Sequence, residues 1–154
     1  MRMKIGVKFW VLALVALVAA SCGESSKNEE GTMMPNSWKL TSWAGSAAAA
    51  GKVYLQLNSD HSFILYQSID APGFTKFTGT YTIAKDGQNH EILSGKYTDN
   101  TAWESSYLIQ SQTDKTMVLK SLNDDTISEY AAAVLPEELK AAVSRAAVSQ
   151  KPFM

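Results

Sequence analysis

Between residues 37 and 133 the chain alternates apolar and polar side chains in short runs. The alternation is plain in VYLQLN, SFILYQ, TKFTGTYTI and WESSYLIQ. A period of two puts one face of an extended strand toward a core and the other toward water. Runs at 37–43, 52–58, 62–68, 74–84, 91–98, 103–111, 115–122 and 125–133 are separated by turn residues. Short strands at regular spacing predict an all-β sandwich or barrel. SAAAAG at 46–51 has helical propensity, but six residues between strands are too few to nucleate a helix, and the stretch reads as loop.

The turns set registers. A hairpin centred on Gln88 in KDGQNH places Ile83 opposite Leu93, Tyr81 opposite Gly95 and Gly79 opposite Tyr97. Each glycine then faces a tyrosine, which gives the ring room to lie across the neighbouring strand. Centring on Asp60 pairs Leu57 with Phe63 and Leu55 with Leu65, and centring on Asn100 pairs Tyr97 with Trp103. His61 and Asn100 are expected at positive φ, which Asn, Asp and His tolerate best among residues with a side chain. His61 and His90 therefore read as turn residues, with no nucleophile and acid beside them to suggest catalysis.

PEELKAAVSRAAV, 136–148, predicts a short helix. Pro136 suits the first turn, Glu137 and Glu138 the positive end and Arg145 the last turn. Leu135, Leu139, Ala142, Val143 and Ala146 form its apolar stripe, which is expected to pack on the outside of the sheet. The polar face is not basic, which argues against a membrane-surface helix.

Ahead of the strands lies a different pattern. MRMKIGVK carries Arg2, Lys4 and Lys8 without an acid, residues 9–20 are uninterrupted apolar side chains, and Ala19, Ala20 and Ser21 lead into Cys22. Twelve helical residues rise only about 18 Å, too little for a bilayer core of about 30 Å, so the stretch reads as a secretory signal, with a retained anchor as the alternative. Ala-Ala-Ser-Cys resembles the lipobox of bacterial lipoproteins, with Ala19 where leucine is usual. The resemblance implies cleavage of 1–21 and lipidation of Cys22, the single cysteine in the chain. A lone cysteine has no disulfide partner and no metal-ligand spacing. Two or three acyl chains make a stable membrane anchor where one does not.

Residues 22–36 then form a lipidated tether, polar and without periodicity. Glu24, Glu29 and Glu30 resemble the acidic stretch of surface-exported lipoproteins, and a solvated linker is the alternative. Residues 37–148 form the folded body and 149–154 a tail. The signal holds three of the 14 basic residues and none of the 15 acids, so the mature chain has a net charge of about −4. That balance argues against a nucleic-acid surface. No Gly-x-Ser-x-Gly, phosphate loop or metal spacing is present, and Asp70 and Glu91 are unpaired by any pattern, so no catalytic residue, metal or cofactor is expected.

The stretches WKLTS (38–42), VYLQLNSDHSFILYQ (53–67), FTGTYTI (77–83), LSGKYTDNTAWESSYLI (93–109) and YAAAVLPEEL (130–139) resemble the lipocalin-like domain of small Gram-negative lipoproteins. The resemblance implies a small antiparallel lipocalin-like β-barrel of about eight strands, opened by a tryptophan and without established catalytic residues. Asn36 stands where the lipocalin Gly-x-Trp start has glycine, and Glu104 where glycine is common. The implied location is the cell envelope, on the periplasmic or surface face of the outer membrane.

An eight-stranded barrel is either filled by its side chains or holds one small ligand. The expected inward set is Trp38, Leu40, Leu55, Leu57, Phe63, Leu65, Phe77, Tyr81, Ile83, Leu93, Tyr97, Trp103, Tyr107, Ile109, Met117 and Leu119, with Gly79, Gly95 and Ser105 as small members. A packed core is one outcome. The other is a partial cavity for a small hydrophobic ligand near the open end, lined by Tyr81, Tyr97, Trp103 and Tyr107, whose hydroxyl and indole N–H groups would orient it. The sequence thus leaves open a ligand-binding module or a solid interaction protein hung from a membrane, with no protein partner specified.

Overall fold

In the computed structural model, which describes residues 36–69, 72–144 and 151–154, antiparallel strands follow one another around a closed barrel. They are β1 (Ser37–Trp43), β2 (Val53–Leu57), β3 (Ser62–Gln67), β4 (Thr75–Lys85), β5 (Glu91–Tyr97), β6 (Tyr107–Gln112), β7 (Thr116–Ser121) and β8 (Ile127–Ala132). Each pairs with the next in sequence, and β8 returns to β1. Closure gives each of the eight strands a paired neighbour on both sides. Irregular registers between Leu40 and Ser42 and between Ile109 and Ser111 add the local bend that curling a sheet requires. The stretch 46–51 is a series of turns, as expected.

Three hairpins share one turn. Asn58 pairs with Ser62, Asp86 with His90 and Tyr97 with Thr101 through main-chain bonds of 2.9, 3.0 and 2.8 Å. Each encloses three residues whose last, His61, Asn89 or Asn100, has φ of 65°, 68° or 66°. Carboxylates of Asp60, Asp86 and Asp99 accept main-chain N–H bonds inside these turns. The registers centred on Asp60 and Gln88 stand as expected. The third is corrected: Trp103 N–H donates to the Gly95 carbonyl at 2.9 Å, so Trp103 lies opposite Gly95 and not Tyr97. The turn is centred on Asp99 because the left-handed residue comes last in the loop, not in its middle.

The glycines also make room for other rings than the expected tyrosines. A Cβ on Gly95 would sit 2.3 Å from the Trp103 indole, and one on Gly79 would sit 1.9 Å from the Lys96 carbonyl and 2.7 Å from Phe63. Nor does the strand expected over 103–111 begin at Trp103. Residues 103–106 are irregular, because Ser105 is drawn into bonds with the β7–β8 turn, and β6 starts at Tyr107.

Trp38, Leu40, Leu55, Phe63, Leu65, Phe77, Leu93, Met117 and Leu119 are fully or almost fully buried along the inner face, and Leu57 and Ile109 pack against them partly buried. Ile83 is the exception, 44% exposed. Pairing of β3 with β4 ends at Thr80, so at Ile83 β4 is paired with β5 alone and has no neighbour on its other side. Tyr130, two residues on from inward Ser128, is core as well, although the expected set omits it.

The helix after β8 is a 3-10 segment, Glu137–Ala141, followed by a two-residue strand β9 (Val143–Ser144) parallel to the start of β4. Ala142 is extended, which ends the helix short of the expected span; residues 145–148 lie outside the described residues. The packing is on the sheet exterior as expected. Leu139 is buried with Tyr54 and Tyr66, the outward neighbours of Leu55 and Leu65, and with Leu135, Ala142 and Phe74 around them.

Candidate functional site: the mouth of the barrel

Strand directions place the tight turns after β2, β4 and β6 at one end of the barrel. The connections after β1, β3, β5 and β7 are at the other, which we call the mouth. The β5–β6 connection is tied to the β7–β8 turn by hydroxyls. Ser121 Oγ donates to Ser105 Oγ at 2.9 Å, Leu122 and Asn123 main-chain N–H groups donate to the same Ser105 oxygen at 3.1 and 3.3 Å, and Asn123 Nδ2 donates to the Glu104 carbonyl. Beside this network is a cleft of about 330 Å³ whose wall includes Trp43, Tyr107 and Phe153 with Ser105, Ser121 and Ser128.

Of the four residues singled out from the sequence, three are near one another. Trp103 and Tyr107 meet edge to face at 6.1 Å, and Phe63 bridges Trp103 and Tyr97 at 4.9 and 5.6 Å. Tyr81 points to the closed end, where its hydroxyl donates to the Asn58 carbonyl at 2.8 Å and its ring meets His61. All four are buried. Of them, Tyr107 lines the mouth cleft, whereas Tyr81 and Trp103 border a separate cleft of about 390 Å³ over Gly95. Burial pushes the Tyr107 hydroxyl up to about 12, helped by the carboxylates of Glu104 and Asp124. Asp124 itself is held below the usual carboxylate range by the Ser121 side chain beside it and by the Thr126 main-chain N–H. Two indole N–H groups, on Trp38 and Trp103, are buried without a hydrogen-bond partner among the described residues. A buried donor left unpaired costs about 1–3 kcal/mol, which an acceptor from outside the chain would relieve.

Residues that no pattern announced complete the mouth. Gln67, the inward residue two past Leu65, is 1% exposed, and Met154 is 2% exposed. Gln67 binds the main chain of Lys151 and Phe153, the Tyr97 hydroxyl donates to the Met154 main-chain oxygen, and Phe153 meets Trp43 edge to face at 5.3 Å. Period two alone marks Gln67 as inward, and a polar residue in an apolar file was the available signal. Nothing in 149–154 marks an inward path. Among the described residues no three His, Cys, Asp or Glu side chains gather as a metal site. Cys22 and Asp70 lie outside the described residues.

No protein-family profile matches the chain, and no curated protein does. Among solved structures, a lipocalin-like protein from Bacteroides uniformis superposes with a TM-score of 0.51 at 14% identity, over 65% of this chain and 98% of that one. An uncharacterized protein from Bacteroides eggerthii gives 0.49 at 14% identity, over 64% and 98%. At this identity the likeness concerns the fold. The chain folds as a closed antiparallel eight-stranded barrel of the lipocalin-like type.

Proposed function

We propose that this protein is a lipid-anchored component of the bacterial cell envelope whose barrel binds a small hydrophobic ligand through its mouth, without catalysing a reaction on it. The observation that carries the binding reading is the buried Trp103 N–H, without a partner among the described residues, inside an aromatic cluster that runs through Tyr107 to the mouth. An apolar wall with a few polar groups to orient the occupant is what small-molecule sites require. Tyr97, Trp103 and Tyr107 are the candidate contacts, with Tyr81 deeper toward the closed end. The lipid anchor rests on the Ala-Ala-Ser-Cys sequence and assigns Cys22 to the outer membrane. A solid interaction barrel is the second reading, favoured by the completeness of burial at Trp38, Leu93, Met117 and Leu119.

Native mass spectrometry of residues 23–154, purified from the source bacterium, is expected to show a co-purifying small molecule. Absence of an adduct, with no thermal shift across a panel of lipids and bile acids, favours the solid barrel instead. For the anchor, Cys22→Ala is expected to move the protein from membrane to soluble fractions and to change its gel mobility. Unchanged fractionation and mobility would remove the anchor from the proposal.

A further inference from the structure

We infer that the mouth is a recognition site for an extended peptide carrying two adjacent apolar side chains, occupied in this structure by the chain's own Lys151–Met154. The inference rests on the mouth being a binding site and names a ligand class for it. Gln67 is the central observation. Its amide nitrogen donates to the Lys151 carbonyl at 2.7 Å, and its amide oxygen accepts from the Phe153 N–H at 2.6 Å. One side chain thus reads a carbonyl and an N–H two residues apart, the spacing that a strand edge presents. These bonds are to main chain and leave the occupant's side-chain identity open. The hydroxyl of Tyr97 adds a third main-chain bond, to Met154.

Side-chain selection comes from the apolar positions. Met154 sinks into the core cluster, and Phe153 lies against it and against Trp43. At the rim, Lys151 Nζ is 2.7 Å from Glu104 Oε1, an exposed pair that contributes direction more than affinity. A glutamine buried at 1% exposure is a poor choice for a barrel filled only by its own strands, since its amide must find partners. In this barrel those partners lie 84 and 86 residues away, on Lys151 and Phe153. The ligand class that matches is a peptide with a basic residue followed, two and three places on, by an aromatic and a flexible apolar side chain.

The test uses the full chain and a fluorescently labelled Gln-Lys-Pro-Phe-Met peptide. The double variant Phe153→Ser, Met154→Ser vacates the apolar positions without shortening the chain. It is expected to bind the peptide at least about tenfold more tightly than the wild type, where the attached segment competes at high effective concentration. Adding Gln67→Leu should abolish that gain. A double variant that keeps its β-sheet circular dichroism yet binds no more tightly than the wild type overturns the inference. A second measurement needs no variant: amide exchange at Phe153 is expected to be at least about tenfold faster than at core amides of β1 and β8, reporting local release of the segment. Exchange at the core rate would show a fixed part of the barrel and overturn the inference. Peptide binding without any small-molecule binding would sink the hydrophobic-ligand reading and leave this one supported.

Discussion

At Gly95 and Gly79 the missing side chain is what the packing uses. The indole of Trp103 lies where a Gly95 Cβ would be, and the Lys96 carbonyl and Phe63 ring crowd the same position at Gly79. Neither glycine is at positive φ, so space and not backbone freedom selects the residue. Gly95→Ala must displace a ring held by Phe63 and Tyr107. Gly79→Ala must move a strand's backbone, which yields less readily than a side chain. Overpacking of this kind costs roughly 1–3 kcal/mol. Urea unfolding is expected to show Gly95→Ala within that range and Gly79→Ala at or above its top. Equal stability of Gly79→Ala and wild type would contradict the close approach.

At the level of elements, three of the hairpins use the same three-residue loop with its last residue left-handed, at His61, Asn89 and Asn100. Applying the rule from Ser-Asp-His and Gly-Gln-Asn to Thr-Asp-Asn would have centred the third turn on Asp99 and placed Trp103 over Gly95. The segment from Leu135 to Ala142 works differently. It is short, 3-10 in part, and held by apolar contact of Leu139 with the outward tyrosines of β2 and β3. Leu139→Ala is expected to cost about 2–3 kcal/mol, toward the low end for buried leucine because the site is near the surface. Hydrogen exchange should show the loss concentrated at β9 and the outer face of β2 and β3, with the β5–β8 core retained. Uniform loss across the barrel would show that this segment is integral to the core.

For the molecule as a whole, buried tyrosines couple stability to alkaline pH. Burial raises Tyr107 to about 12 and raises Tyr130 further; Tyr81 and Tyr54 are raised too, again chiefly by burial. Unfolded tyrosines titrate near pH 10. Above that pH the unfolded chain releases protons that the native barrel keeps, so stability falls as pH rises. The Tyr107 contribution is whole below about pH 9 and is lost between about pH 10 and 12, and that of Tyr130 goes on being lost at still higher pH. Urea midpoints across this range should fall steeply, and Tyr107→Phe should shallow the fall. A flat profile from about pH 9 to 11.5 would mean these hydroxyls reach water.

The sequence by itself determined the strands, their inward faces and two of the hairpin registers. Alternation and turn chemistry are local, and a slip of one residue would expose a whole apolar file. It also marked Tyr97, Trp103 and Tyr107 as inward aromatics, which the fold clusters. Only tertiary structure decided the rest. Ile83 is exposed because its neighbouring strand stops at Ser62, and Tyr54 and Tyr66 are buried because a later segment crosses the outer face. The inward Gln67 was legible as an oddity, but its partners were not. They lie more than eighty residues on, and a meeting between residues so far apart along the chain leaves no period in the sequence.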